Sequence, residues 1–385
     1  MFVRIGNTPR DYAWGSRTAI AGLLGTTPSG EPEAELWLGA HAGSPARILD
    51  PAQTAGAADL AEWPETAHLP YLLKVLAAAG PLSLQAHPSS EQAREGFERE
   101  NAAGLAADSP ERNYKDPFHK PELIFALSDP FEALCGFRDP AVSRAVFEKL
   151  ASGSGDPRIA AFADTLEGEP GDVLRRATEW LLGGDPAVAE LVEAVVTAAQ
   201  ARDDRDADTV RMLSAAFPGD PGIVLALLLN RATLRPGEVL YLPAGNIHAY
   251  LDGLGIELMA ASDNVLRGGL TPKRIDVAEL VRVLDFSPIV ATPLAPEHPA
   301  AGVEVFRPDV PDFALDHVVV GGGVASAPVE LPGTAIALCT AGEVELTGAS
   351  GSLRLARGEA AVVTADEGTL TVTGDGTLFV ATPNR

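Results

Sequence analysis

Four side chains from three separate segments of the chain could together bind one divalent metal ion. Gln85 and His87 offer an amide oxygen and an imidazole, Glu122 offers a carboxylate, and His248 offers a second imidazole. Gln85 and His87 are two residues apart in a predicted strand, so both side chains point to the same face. Two imidazoles and a carboxylate are the ligands of many catalytic zinc sites that keep one position open. The pattern therefore predicts a metal centre at which these four residues meet.

A run of cations and one acidic residue add further candidate chemistry. Arg267, Lys273 and Arg274 lie close together in the sequence, although the chain carries a formal net charge of -24. Guanidinium and ammonium groups bind phosphate or an enediolate, so the run predicts an anionic ligand; a solvated loop is the alternative. Glu257 lies among apolar residues, where desolvation would raise the pKa of its carboxyl and suit it to proton transfer. It could equally be the buried ion-pair partner of one of these cations.

The elements that must position these residues are predicted to be short strands interrupted by helices. Residues 1–138 and 231–290 contain short apolar runs between turn residues, and residues 291–385 repeat such runs at short intervals. Residues 139–230 instead space apolar residues three and four apart, as helices do, and contain Asp-Pro pairs typical of helix starts. The pairs are Asp139-Pro140, Asp156-Pro157, Asp185-Pro186 and Asp220-Pro221. We therefore predict a mainly β fold with a helical insertion.

The composition argues against several classes of partner. So acidic a surface repels nucleic-acid backbones and anionic lipid. The two cysteines, Cys135 and Cys339, form no CxxC motif, and the longest apolar run, Ile223–Leu229, is too short to span a membrane. The first residues lack a basic segment followed by a long apolar stretch, so no signal peptide is predicted. We therefore expect a cytoplasmic protein without a nucleic-acid or membrane partner.

The chain resembles the type I mannose-6-phosphate isomerases, a family of metal-dependent cupins, over most of its first 280 residues. The segments that carry the resemblance are Tyr12–Gly15, Ala34–His41, Leu82–Pro88, His119–Leu123, Pro243–His248 and Ala261–Lys273. The resemblance implies one Zn²⁺ per chain, held by Gln85, His87, Glu122 and His248. It also implies that Arg267 is an arginine of the active site.

The same resemblance implies how the chain is divided into domains. The catalytic domain is expected to be a cupin, or jelly-roll, barrel split between residues 1–138 and 231–290. Residues 139–230 are expected to form an all-α domain, and residues 291–385 a C-terminal cupin-like β domain without metal ligands. This last segment could not be assigned to the family from its own sequence.

The reaction that the resemblance implies interconverts mannose 6-phosphate and fructose 6-phosphate, a step of carbohydrate metabolism on the route to GDP-mannose. A proton moves between C2 and C1 of the open-chain sugar through an enediolate, and a metal can polarise the carbonyl. Arg267 would stabilise the negative charge or help to open the ring. The base remains open between Glu257, Lys120 and a metal-bound water. The residues predicted to bind the sugar phosphate are Trp14, Ser83, Asp263 and Lys273, with Lys120 or Arg274 joining Lys273 at the phosphate.

Two other functions are compatible with a metal-binding cupin. A sensor that binds a sugar phosphate without turnover would lack a base or have a closed pocket, whereas Glu257, Lys120 and Arg267 are all present. An iron-dependent cupin oxygenase usually has an open triad of ligands, without a Gln ligand or a phosphate-binding patch. We therefore expect an enzyme that acts as a monomer on a small sugar phosphate.

Overall fold

The computed structural model describes residues 1–384, which form two β-sheets and nine α-helices. The helices are α1 (Ala19–Leu24), α2 (Ser90–Ala102), α3 (Pro140–Ser154), α4 (Pro157–Asp164), α5 (Pro170–Leu182), α6 (Pro186–Gln200), α7 (Arg205–Ala216), α8 (Gly222–Ala226) and α9 (Val277–Val283). The strands are β1 (Phe2–Gly6), β2 (Glu35–Leu38), β3 (Arg47–Ile48), β4 (Tyr71–Ala78), β5 (Leu84–Ala86), β6 (Glu122–Ala126), β7 (Phe131–Phe137), β8 (Leu229–Leu234), β9 (Val239–Leu242), β10 (His248–Ala260), β11 (Leu266–Gly269), β12 (Glu297–Ala300), β13 (Val303–Phe306), β14 (Ala314–Val320), β15 (Ser326–Val329), β16 (Ala335–Thr347), β17 (Ser352–Ala356), β18 (Ala360–Val363) and β19 (Leu370–Thr382). The predicted mainly β fold with a helical insertion is confirmed.

Strand β10 organises the nine-stranded sheet, in which β11, β5, β10, β4 and β2 are neighbours in that order. Its first half pairs with β7 and, at His248, with β5, whereas its second half pairs with both β4 and β6. A bulge between Tyr250 and Asp252 separates the two halves and bends the strand. Strand β10 therefore lies next to β5 and β6, the strands that carry or adjoin the other predicted metal ligands.

The ten-stranded sheet contains most of the C-terminal strands and one strand from the start of the chain. Its order is β12, β13, β14, β19, β16, β18, β1 and β3, with β15 paired to β19 and β17 paired to β16. Strand β1 pairs antiparallel with β18, so that Phe2 lies opposite Val363. The division into domains stays a prediction. It places residues 2–6 in the catalytic domain, whereas these residues pair with β18, which it places in the C-terminal domain.

The six helices α3–α8 pack against the strands of the predicted metal site. Helices α3, α4 and α6 begin after Asp139, Asp156 and Asp185, whose carboxylates each accept a backbone N–H two residues further on. Such caps are each worth about 1 kcal/mol. The apolar faces of the helices share one buried core with Leu84 of β5, the strand that carries Gln85, and with Leu266 of β11. No α-helix in the described part of the chain has the length and apolar character that crossing a membrane requires.

Candidate metal centre and active site

Three strands bring His87, Glu122 and His248 together. His87 follows β5, Glu122 begins β6 and His248 begins β10. Oε1 of Glu122 lies 3.4 Å from Nε2 of His87, and its Oε2 lies 3.3 Å from Nε2 of His248. All three residues are buried, and their ligand atoms lie within 4.8 Å of one another. The structure therefore contains a His–Glu–His cluster built from three of the four residues that the sequence singles out.

Backbone carbonyls fix the orientation of both imidazoles. Nδ1 of His87 donates to the carbonyl of Asn264 at 2.7 Å, and Nδ1 of His248 donates to the carbonyl of Asn246 at 3.1 Å. Because a carbonyl only accepts, each ring carries its proton on Nδ1 and turns the lone pair of Nε2 toward Glu122. The buried Nε2 of His87 has no hydrogen-bond partner among residues 1–384. The two Nε2 lone pairs and the Glu122 carboxylate are all electron-rich and repel one another. A cation bound between them removes this repulsion, so the donor set fits a divalent metal.

The protonation states of the cluster also suit a metal. Burial lowers the pKa of His87 to about 4, against the opposing charge of Glu122. Burial raises the pKa of the Glu122 carboxyl, but the charge of Lys120 and contacts with the two imidazoles outweigh it and hold that pKa well below its usual range. Nζ of Lys120, itself buried, lies 3.0 Å from Oε1 of Glu122. At neutral pH the cluster therefore offers a neutral imidazole and an ionised carboxylate, the forms that bind metals.

Gln85 lies in the middle of β5, beside both the cluster and the candidate arginine. Its Cα pairs with that of His248 in β10 on one side and with that of Arg267 in β11 on the other. The half-buried side chain of Gln85 donates from Nε2 to Oγ of Ser83 at 3.4 Å. Gln85 therefore connects the His–Glu–His cluster with Ser83 and Arg267, two other residues that the sequence predicts for the site.

Glu257 belongs to a buried group of three charged residues. Nζ of Lys74 lies 3.0 Å from Oε2 of Glu257 and 3.6 Å from Oε1 of Glu35. All three residues are buried, and the charge of Glu122 is close enough to act on both Glu257 and Lys74. Burial raises the pKa of the Glu257 carboxyl, while the charge of Lys74 opposes that rise. Glu257 is therefore an ion-pair partner, but its cation is Lys74 and not one of the three cations that the sequence suggested.

Arg267, Lys273 and Lys115 form a second charged group, which we call the cation group. The charge of Arg267, followed by burial and the charge of Lys115, lowers the pKa of Lys273. Within residues 1–384, none of the three forms an ion pair with a carboxylate. Arg274 lies apart from them, because its guanidinium pairs with Asp276 at 3.5 Å. On a chain with a net charge of -24, a group of cations without acidic partners indicates an anion-binding site.

Trp14 and Asp263, the remaining predicted residues, lie in different surroundings. Trp14 is half-buried and stacks on Tyr12 with 5.8 Å between ring centroids. Oδ1 of Asp263 lies 3.1 Å from Nε2 of His41, and this contact lowers the pKa of the Asp263 carboxyl. The charges of Lys120 and Lys115 act in the same direction. Asp263 therefore lies between His41 and the cationic side of the candidate site.

The chain is similar along its whole length to proteins of one family. The family model of the phosphomannose isomerase type I catalytic domain matches residues 2–140, and that of the mannose-6-phosphate isomerase cupin domain matches residues 304–383. The mannose-6-phosphate isomerase of Escherichia coli K12 is 38% identical over 386 residues, which cover 97% of each chain. The chain belongs to the type I mannose-6-phosphate isomerases. The family and the cupin fold that the sequence motifs predict are therefore confirmed.

Solved structures of mannose-6-phosphate isomerases share this fold from end to end. One, bound with zinc and yttrium, superposes with a TM-score of 0.86 at 36% identity and covers 100% of both chains. Another, the zinc-bound holo form, gives a TM-score of 0.85 at 36% identity over the same share of both chains. Relatives of this chain thus bind zinc, and the chain itself contains a His–Glu–His cluster that fits such an ion.

Three charged residues of this chain are not among the candidates found from sequence. Lys74 and Glu35 join Glu257 in the interior, and Lys115 joins the cation group. Lys74 had a recognisable signal, because it is the one charged residue of the apolar strand Tyr71–Ala78. Lys115 had none, since exposed lysines are common on any surface and only the folded chain brings it near Lys273.

Proposed function

We propose that the protein is a zinc-dependent aldose–ketose isomerase that interconverts mannose 6-phosphate and fructose 6-phosphate. The observation that carries the proposal is the buried His–Glu–His cluster with ionisable Glu257 and the cation group near it. These groups offer a metal, a base and a binding site for a phosphate, which are the parts that the reaction requires. Full-length relatives named as mannose-6-phosphate isomerases favour an enzyme over a sensor that only binds the sugar.

One Zn²⁺ per chain is proposed to bind to Gln85, His87, Glu122 and His248. The two Nε2 lone pairs and the Glu122 carboxylate converge in the interior, and Gln85 adds an oxygen without adding charge. When bound, the ion supplies a Lewis acid that polarises the carbonyl of the open-chain sugar. The carbonyls that hold the Nδ1 atoms keep both rings turned toward the ion, which supports tight binding.

Glu257 is proposed to carry the proton between C2 and C1 of the sugar. Burial makes its carboxylate a stronger base than an exposed one, while the ion pair with Lys74 keeps it oriented. Lys120 is the alternative base, but its Nζ lies 3.0 Å from Oε1 of Glu122 and is engaged in that ion pair. We therefore assign proton transfer to Glu257 and hydrogen bonding beside the metal ligands to Lys120.

Deuterium exchange separates these two roles. Glu257→Gln keeps the shape of the side chain but cannot take a proton, so turnover and exchange at C2 in heavy water should both fall by about 10²- to 10⁴-fold. Lys120→Met should retain exchange at C2 even where net turnover is slow. The opposite pattern, with exchange lost only in Lys120→Met, would transfer the role of base to Lys120.

The cation group is proposed to bind the anionic parts of the substrate. Arg267 of β11 lies opposite Gln85 of β5 in the antiparallel pair. Its guanidinium is therefore placed to stabilise developing negative charge or to assist ring opening. Lys273 and Lys115 are exposed and lie toward solvent, where they would hold the phosphate. Trp14, Ser83 and Asp263, which the sequence predicts to bind the sugar phosphate, are proposed to line the same pocket.

We propose that the working unit is a monomer. We propose that this monomer acts in the cytoplasm on small sugar phosphates, without a nucleic-acid or membrane partner. The acidic surface, with its net charge of -24, is consistent with that assignment.

The decisive experiment measures fructose 6-phosphate formed from mannose 6-phosphate by purified protein. Activity should disappear after chelation and return when zinc is added, with one zinc per chain by elemental analysis. A protein that holds stoichiometric zinc and produces no fructose 6-phosphate would contradict the proposal and favour a sensor. Activity that survives full removal of metal would contradict the role of the cluster.

A further inference from the structure

Asp220 connects the helical region to the turn that carries part of the cation group. Its Oδ1 accepts the backbone N–H of Gly222 at 2.7 Å and that of Leu270 at 2.9 Å. Its Oδ2 accepts the backbone N–H of Thr271 at 3.1 Å. Asp139 instead accepts a backbone N–H only from Ala141 of its own helix, and Asp185 accepts the backbone N–H of Ala187 and the indole N–H of Trp180 in the preceding helix. Asp220 therefore does more than begin a helix, since two of its three bonds cross fifty residues of sequence to the turn after β11.

The turn that Asp220 holds has an unusual backbone. Leu270 is buried and has a φ of 54°, a left-handed conformation that side chains other than glycine rarely adopt. Gly269, with a φ of 126°, lies so close to Gly222 that a Cβ on either residue would fall 2.8 Å from the other segment. The two glycines allow the backbones to approach, and that approach lets the carboxylate of Asp220 reach both N–H groups. The bonds to Asp220 offset the strain at Leu270 and hold the turn in one conformation.

The turn joins the two cations that flank it. Arg267 lies within β11, three residues before Leu270, and Lys273 follows the turn. The hydroxyl of Thr271 accepts the backbone N–H of Lys273 at 3.1 Å, so the contact with Asp220 continues to that residue. The positive charge of Arg267 is the first cause of the lowered pKa of Lys273, as expected of two cations on either side of one short turn. The conformation of the turn therefore sets the spacing between them.

We propose that Asp220 is a positioning residue that fixes Lys273 relative to Arg267 and thereby sets the affinity of the site for the phosphate of its substrate. It touches no reacting atom and acts only through the turn. The inference rests on the proposed function, because it takes the cation group as the phosphate site. It also assigns a role to the helical region, which otherwise contributes no side chain to the site.

The test compares Asp220→Ala with Asp139→Ala, a matched variant that also loses an Asp-Pro cap but lies away from the turn. For Asp220→Ala we expect a KM for mannose 6-phosphate at least tenfold higher, with kcat reduced less than threefold and zinc content unchanged. The dissociation constant for inorganic phosphate, measured by calorimetry on the zinc-loaded protein, should rise by the same factor. Asp139→Ala should lower the Tm comparably and leave KM and phosphate affinity unchanged. A merely structural role of Asp220 predicts that the two variants behave alike, and that result would overturn the proposal.

A second variant covers the case in which Asp220→Ala does not fold. Asp220→Asn keeps an acceptor for the N–H groups of Gly222 and Leu270 but presents N–H₂ to Thr271, so KM and the phosphate dissociation constant should rise by a smaller, matching factor. Unchanged values in this variant would also count against the proposal. Wild-type protein that binds phosphate but does not isomerise would refute the proposed function alone, since phosphate affinity would still report on Asp220. Wild-type protein that binds no phosphate would refute the assignment of the cation group and the role of Asp220 with it.

Discussion

Replacing Lys74 by Met should destabilise the protein in a way that depends on pH. Lys74 is the cation between two buried carboxylates, Glu257 at 3.0 Å and Glu35 at 3.6 Å. Met has a similar volume and no charge, so the variant keeps the packing and leaves two acids facing each other in the interior. The change therefore isolates the electrostatic contribution of Lys74 from the space that it fills.

The expected magnitude follows from these distances. At an effective dielectric constant of about 20, each contact is worth about 5 kcal/mol of attraction, most of which offsets the cost of burying the charges. Breaking such a buried group by removing one partner costs about 3–5 kcal/mol. One carboxyl can instead take up a proton, which costs about 1.4 kcal/mol for each pH unit above its ordinary pKa and hence about 3–4 kcal/mol at pH 7. Because the pKa of that carboxyl is then raised in the folded state, the lost stability should be smallest at acidic pH and grow as the pH rises.

Urea unfolding at pH 6, 7 and 8 measures this effect directly. The free energy of unfolding of Lys74→Met should lie about 3 kcal/mol below that of the wild type at pH 7, and the gap should narrow toward pH 6. The exposed lysine of α3, Lys149, provides the control, since Lys149→Met should change stability by less than about 0.5 kcal/mol. Adding Glu257→Gln to Lys74→Met should recover much of the loss. A loss below 1 kcal/mol, or one of equal size at all three pH values, would refute the reasoning.

Three further predictions concern the site itself. Arg267→Ala should lower kcat/KM by about 10²- to 10³-fold with zinc content unchanged. Arg274→Ala, its matched control, should have little effect. An active Arg267→Ala enzyme would remove Arg267 from the mechanism. In metal-free protein, stability measured by thermal unfolding should fall as the pH drops from 6.5 to about 4, by up to about 3 kcal/mol, because the unfolded state protonates His87 before the folded state does. That slope should be absent from His87→Asn, and its persistence there would assign it to another group. Lys115→Ala should raise the KM for the sugar phosphate several-fold, most clearly at low ionic strength. A KM that changes neither with this substitution nor with ionic strength would exclude a contact between Lys115 and the phosphate.

The metal cluster was predictable from sequence because its signals are local. His87 and His248 lie in short motifs at strand ends, and the spacing of Gln85 and His87 places both on one face of a strand. The buried ion pair of Glu257 was not predictable in the same way. Its partner is set by the antiparallel register of β10 and β4, which aligns Glu257 with Lys74 across more than 180 residues of sequence. No pattern within either strand specifies that alignment.

The C-terminal strands show a second limit of sequence reasoning. Apolar runs interrupted by glycine predict separate strands over Ala335–Leu338 and Gly342–Leu346, whereas the structure has the single strand β16 over Ala335–Thr347. The register between β16 and β19 shifts between Cys339 and Ala341, next to Gly342, which has a φ of 67°. Glycine thus accommodates an irregularity within a long strand and does not end it. A turn and a bulge require the same residue, so the sequence alone does not distinguish them.

The pairing of β1 with β18 has a consequence for how the protein is made. Residues 2–6 leave the ribosome before their partners at 360–363, which emerge only after more than 350 further residues. At about 5–20 residues per second, translation leaves one edge of β1 without its neighbour for tens of seconds. An open strand edge is a template for pairing with other chains, and a contact so distant in sequence also forms slowly. Overexpression, which crowds many incomplete chains together, should therefore favour aggregation through this edge, and the slow step in refolding should be the closure of the ten-stranded sheet.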